Sequence, residues 1–241
     1  MDGIIIYQQQ GMKMKLLKTT AVAGLLVASS AASAIEISGN VALTTDYIWR
    51  GMSQTDGSPA IQGGFDADLG NGVYAGVWGS NVDFDSDESM EFDVYAGWAG
   101  EFNGVGVDIG AVHYAYPTSG TETDFTEVYV GLSMGPASLT QYFGVDLGSD
   151  DLGDYRSGNY TDLGLDLGEY NGIAFAAHVG YYDLQADSSD YWDWKLAAST
   201  TYMGVDVEVA YTDVDTNSDN VSDARGASDD AAYVLTVSKS L

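Results

Sequence analysis

The 241-residue chain contains no cysteine, so no disulfide staples the fold and no thiolate serves as nucleophile or metal ligand. Basic residues are nearly as scarce: eight Lys and Arg stand against 36 Asp and Glu, a formal net charge of −28. Such a surface repels nucleic acid and anionic headgroups and attracts cations. Only His113 and His178 could carry imidazole chemistry. Proline occurs three times, mean hydropathy is −0.07, and no window sustains helical periodicity or supplies a membrane-spanning helix.

Residues 13–34 combine Lys13, Lys15 and Lys18 with a short apolar run that ends in Ala32-Ser33-Ala34. This is the pattern of a secretory signal peptide cut after Ala34. The Ser- and Thr-containing run is short for a membrane anchor. Residues 1–34 are therefore expected to be an upstream extension plus signal, with Met12 or Met14 as initiator, and 35–241 the exported domain.

Beyond residue 34 the periodicity is two. Ile35, Ile37, Val41, Leu43, Tyr47 and Trp49 share one parity, and Glu36, Ser38, Asn40, Asp46 and Arg50 the other. The pattern recurs near 61–69, 73–81, 90–102, 105–115, 125–134, 139–147, 159–167, 173–183, 192–202, 205–213 and 231–241. Tight-turn pairs separate alternate segments: Asn71-Gly72, Asn103-Gly104, Gly135-Pro136, Asn171-Gly172 and Met203-Gly204. Longer Asp- and Ser-rich connections fill the other junctions. Short turn alternating with long loop predicts an all-β fold, a transmembrane antiparallel up-and-down β-barrel of about twelve strands. Its short turns are periplasmic and its long acidic loops external.

The apolar parity, including Phe65, Val94, Ile109, Val130, Leu163 and Leu235, is assigned to lipid. Aromatics of that parity mark two interfacial girdles: Tyr47, Trp49, Tyr181, Trp192, Trp194, Tyr211 and Tyr233 at the loop end, Trp98, Phe102 and Tyr202 at the turn end. The opposite parity is acidic. Its pore-lining candidates are Arg50, Asp46, Asp66, Asp68, Glu91, Asp93, Asp108, Asp146, Asp166, Lys195, Asp206 and Glu208. A carboxylate-rich wall raises cation concentration in a pore. Inward glycines such as Gly97, Gly110 and Gly164 make room in that lumen.

The run Tyr47-Ile48-Trp49-Arg50-Gly51-Met52-Ser53-Gln54-Thr55, followed by Pro59 to Asp66, resembles the opening motif of the TorF-family porins, a group also called Gcw_chp. The hairpin spacing and the final Val237-Ser238-Lys239-Ser240-Leu241 are similar to that family too. The resemblance implies an outer-membrane barrel of porin type and names no solute.

The expected function is thus passive diffusion through an acidic lumen that favours cations or small polar solutes. The alternative is a non-conducting barrel whose external loops bind a ligand or partner. No enzyme, cofactor or metal site is expected. His113 shares parity with lipid-facing Ile109, and His178 points inward with no evident nucleophile beside it. The acidic loops fail the EF-hand pattern: counting from Asp215, Asn220 stands where glycine is required and Gly226 where glutamate is. Loose divalent binding by the acidic loops is the weaker alternative there. Expected partners are outer-membrane lipid, small solutes or cations, and the barrel-assembly machinery. Arg50 is expected at the lumen mouth, paired with Asp46 or Asp66, with residues 51–59 as the first external loop.

Overall fold

Strict alternation with one apolar face can be stable in lipid only if the sheet closes, because an open edge leaves backbone donors unsatisfied. In the computed structural model, which describes residues 35–84, 87–117, 124–145, 158–184, 190–216 and 231–241, it does close. The expected signal segment, Asp146 and most of the acidic loop residues lie outside that set.

The elements are β1 (Glu36–Thr44), β2 (Ile48–Trp49), β3 (Met52–Ser53), β4 (Ala60–Gly70), β5 (Val73–Asn81), β6 (Met90–Phe102) and β7 (Val105–Ala115). They continue as β8 (Phe125–Met134), β9 (Ala137–Val145), β10 (Asn159–Tyr170), β11 (Ile173–Asp183), β12 (Tyr191–Tyr202), β13 (Val205–Thr216) and β14 (Ala232–Ser240). Twelve of these form the barrel, each antiparallel to its sequence neighbour, and β1 closes it by pairing with both β4 and β14. The remaining two, β2 and β3, pair only with each other.

The tight turns work as their residues dictate. Asn71-Gly72, Asn103-Gly104, Asn171-Gly172 and Met203-Gly204 all have positive φ at both positions, for example 54° and 84° at the first. That is the type I′ geometry whose twist matches the strands it joins. At the same end, Asp68 and Asp166 each accept a bond from the backbone N–H two residues on, at Gly70 and Gly168 (2.8 Å each). Both glycines have positive φ, and each site is a bulge in β4 or β10.

The outer face is apolar as expected. Ile61, Phe65, Val94, Ile109, Val130, Leu163, Leu196 and Leu235 are exposed, the burial inversion of a soluble protein. Rings cluster near the loop end, with Tyr181 against Trp192 (4.7 Å) and Trp194 against Tyr211 (5.1 Å), itself 4.8 Å from Tyr233. Trp98, Phe102 and Tyr202 are exposed toward the turn end.

Inside, tyrosine and glycine are complementary. Tyr129, Tyr142, Tyr160, Tyr182 and Tyr191 face one another in register across β8 to β12, with successive centroids 5.5 to 6.1 Å apart. Where the row crosses β6 and β7 the residues are Gly97 and Gly110, and the rings of Tyr74 and Tyr129 lie over them. Tyr95 covers Gly76 in the same way. Gly76, Gly97 and Gly110 therefore seat tyrosine rings against the wall instead of leaving free lumen, whereas Gly164 faces Ser138.

A Cβ at Gly97 would meet the Tyr74 ring and stand 2.7 Å from the Ile109 carbonyl, whereas at Gly131 its nearest neighbour is the Thr140 hydroxyl at 3.3 Å. Gly97→Ala should destabilise the barrel by about 1–3 kcal/mol and Gly131→Ala by clearly less. The midpoint of the heat-induced gel shift of the closed barrel measures the difference.

Candidate functional site

The first connection does not project outward. β1 stops at Thr44, where the Thr44 hydroxyl donates to the Asp46 carbonyl (2.8 Å) and Thr45 N–H donates to the Leu235 carbonyl (3.0 Å). From this bend residues 46–55 turn into the barrel, and the exposed residues 56–59 lead back to β4. Asp46 accepts from the hydroxyls of Ser53 (2.7 Å) and Thr55 (3.0 Å), and Gln54 N–H donates to the Tyr47 carbonyl (2.6 Å). Those bonds close a small hairpin, β2–β3, whose tip is Arg50-Gly51 with φ of 49° and 80°. A bulky residue in the left-handed region is strained and persists only where its surroundings over-determine it.

The surroundings of Arg50 do so. Its guanidinium donates to both oxygens of Glu127 on β8, at 2.8 and 2.7 Å, and the Tyr114 hydroxyl donates to the same carboxylate (2.9 Å). Its Cζ lies 4.3 Å from the Trp49 centroid, 4.9 Å from Tyr142, 4.3 Å from Tyr160 and 4.8 Å from Tyr182. Arg50 is 1% exposed and Glu127 1%. Burial disfavours the charge, Glu127 outweighs it, and the guanidinium is held protonated well above its ordinary range. Removing one member of such a pair strands the other in a dry interior, at about 3–5 kcal/mol.

The rest of the hairpin spans the lumen. Tyr47 meets Trp78 on β5 edge-on (5.4 Å) and donates to Glu91 on β6 (2.9 Å). Burial, with Glu91 and Asp93 beside it, raises the Tyr47 phenol well above its ordinary value. Trp49 packs edge-on against Tyr114, Phe125 and Tyr182 at 6.0 to 6.2 Å. At the tip, a Cβ on Gly51 would stand 2.6 Å from the Asp193 Cβ and overlap Val214, on β12 and β13. The hairpin thus touches the wall from β5 round to β13.

Three expectations are corrected here. Tyr47 and Trp49, 2% and 4% exposed, are inside the barrel and not in the outer girdle. The bend at Thr45-Asp46 ends the strand, so parity no longer reports the face. Arg50 pairs with Glu127, not with Asp46 or Asp66, because the hairpin carries it across the lumen to β8. Residues 51–55 return buried from that tip, and only residues 56–59 of the expected external loop are exposed.

The other inward candidates are distributed unevenly. Glu91, Asp93 and Asp108 are buried; Asp66, Lys195, Asp206 and Glu208 are half-buried; Asp68 and Asp166 are exposed at the bulges. Tyr95 donates to Asp66, and Tyr74 to Asp108 (2.6 Å). The Thr201 hydroxyl donates to Asp206. Glu208 stands across from Ser199 and Thr236 in register, and Lys195 from His178 and Thr212. His178 places Nδ1 3.0 Å from Asp162 and Nε2 2.7 Å from Asp193, so each ring nitrogen meets a carboxylate. Glu127, Asp162 and Asp193 carry the inward acidic parity, but the sequence pattern indicates neither their partners nor the tyrosine row. The two-residue turn signal Arg50-Gly51, flanked by Ile48-Trp49 and Met52-Ser53, was the clue to the hairpin.

Because the chain has no cysteine, a single introduced thiol reports on the hairpin alone. Met52→Cys, at a buried position, should label slowly with a hydrophilic maleimide. Adding Gly51→Ala should raise the labelling rate at least about tenfold by forcing the tip from Asp193 and Val214, with the barrel gel shift retained.

The profile of the Gcw_chp family, described as bacterial proteins of unknown function, matches residues 28–241. No curated protein matches the sequence. Among solved structures, the KdgM porin is similar with TM-score 0.54 at 11% identity, covering 85% of this chain and 99% of that one. The KdgM porin in complex with disordered oligogalacturonate gives 0.53 at 10% identity, covering 85% and 98%. At such identities the likeness is one of fold, a porin-like closed barrel. The sequence match spans the whole barrel and includes the hairpin: the chain belongs to the Gcw_chp family.

Proposed function

We propose that the protein is an outer-membrane porin of low conductance, exported by its N-terminal signal, whose aperture is set by hairpin 46–55. The observation that carries this reading is the seated hairpin itself. It crosses the lumen, and its one cation is neutralised by Glu127. With Arg50 committed there, the wall's remaining acids, among them Asp66, Asp108, Asp206 and Glu208, outnumber the inward Lys195 and favour cations or small polar solutes. The solute bound by KdgM is an unsuitable guide, since an oligogalacturonate carries a carboxylate on each residue and an acidic wall repels it. The apolar exterior supports a lipid partner, insertion by the barrel-assembly machinery, and the TorF-type porin identity that the opening motif implies.

In planar bilayers the native protein should give small, cation-selective currents. Replacing residues 46–58 with a short Gly-Ser turn should raise conductance several-fold, and Arg50→Ala should raise it or increase its noise. Anion selectivity, or currents indifferent to both changes, contradicts the reading. The hairpin's fit also favours a second reading, a barrel closed at rest that acts through its external loops. Its signature is silence from both the native and the hairpin-deleted protein.

A further inference from the structure

Hairpin residues 49–55 are all buried. So are Thr44, Ala60 and Val234, inward residues of β1, β4 and β14, the sector the hairpin does not cross. The seating of the hairpin therefore decides whether the barrel is open at this level. A wall group that changes state beneath it can govern that seating.

Glu91 and Asp93 stand two residues apart on the inward face of β6, 2% and 0% exposed. The guanidinium of Arg50 is committed to Glu127, and His178 to Asp162 and Asp193. Two adjacent carboxyls in a dry interior do not both ionise, so one keeps its proton. The hydrogen bonds say which. Each Glu91 oxygen accepts a phenol, from Tyr47 (2.9 Å) and Tyr116 (2.8 Å), as a carboxylate does. Asp93 is hydrogen-bonded to Glu91, and as the protonated partner it donates. The groups around the pair do not compete for that proton. In register on β5 are Trp78 and Ser80, which carry no charge. On β7, Tyr116 donates to Glu91 and Tyr114 to Glu127 on β8, whose charge Arg50 neutralises. From the hairpin comes Tyr47.

We propose that Glu91, Asp93 and the proton they share form a latch that keeps hairpin 46–55 seated and releases it as pH rises. The inference rests on the reading that this hairpin sets the aperture. Tyr47 ties the hairpin to Glu91, and the Tyr47 ring is itself buried there. When Asp93 releases its proton to solvent, the pair carries two charges instead of one, and no donor meets the second. Water reaches that charge once the hairpin lifts, so the open state takes the doubly charged pair at lower cost. Above the ordinary carboxyl range the closed state thus binds one proton more than the open state. The ratio of open to closed then grows by up to about tenfold per pH unit, until the closed state also loses its proton. Acid seats the hairpin and alkali frees it.

The test is thiol labelling, which requires no current. Met52→Cys is buried on the returning arm of the hairpin and Ser58→Cys is exposed beyond it, so the ratio of their maleimide rates cancels the pH dependence of the reagent. Between about pH 6 and 9 that ratio should climb by up to about tenfold per pH unit. Asp93→Asn should flatten it with the hairpin still seated, because the amide donates to Glu91 and has no proton to lose. A flat ratio in the otherwise native protein, or an equal slope in Asp93→Asn, overturns the proposal. If Asp93→Asn does not fold, an infrared titration of the native protein decides. The carbonyl band of a protonated carboxylic acid should fade over the pH range in which position 52 becomes reactive, and a band that persists, or none at the outset, overturns the latch. Bilayer currents indifferent to hairpin deletion would instead sink the porin reading, with the labelling slope unaffected.

Discussion

The interior of this barrel is organised by one buried ion pair. Arg50 can leave water only because Glu127 meets it with both oxygens, and Glu127 can be buried only because Arg50 and the Tyr114 hydroxyl meet it. The pair lies between a segment that could have projected outward and a strand on the far side of the lumen. Closing it draws residues 46–55 into the barrel and fixes the strained backbone at the tip. It also gives Trp49, Tyr142, Tyr160 and Tyr182 a cation to surround. A buried pair of this kind adds little net stability over an apolar replacement, but breaking it from one side is expensive. What it supplies is position.

The wall is shaped to receive that hairpin. Glycines on β5, β6 and β7 let the rings of Tyr95, Tyr74 and Tyr129 lie across the strands, and the hairpin itself lands on Trp78, Tyr114, Phe125, Tyr142, Tyr160 and Tyr182. Toward the turns the inner face gives way to small and acidic residues. The two Asp-to-glycine bulges lie at that end, where they adjust the strand rims and occupy Asp68 and Asp166 with backbone donors. Hence inward acids of the same parity do different things: some brace turns, some anchor hydroxyls, one neutralises a cation.

Most of the fold was legible in the sequence because lipid and turn sterics leave local marks. Period-two alternation located the strands, and four pairs with positive φ at both residues located hairpins. The exposed Phe65, Ile109 and Leu235 followed from parity alone. Parity reports a face and not a height, so it could place Glu127 inside but could not bring it opposite Arg50, 77 positions earlier. The hairpin was hidden for a second reason. Tyr47 and Trp49 keep the alternation of β1 beyond the point where Thr45 and Asp46 have already turned the chain. The bonds that make that turn run to Ser53, Thr55 and Leu235, none of which a local pattern can indicate.

The account stands on the coupling between Arg50 and Glu127, and a double-mutant cycle measures it directly. Arg50→Met, Glu127→Gln and the double variant would be compared by the maleimide protection of a thiol at position 52. If the pair seats the hairpin, the single variants lose far more protection than the double variant implies, with a coupling of about 2 kcal/mol or more. Losses that simply add, or a thiol equally accessible in every background, would contradict it.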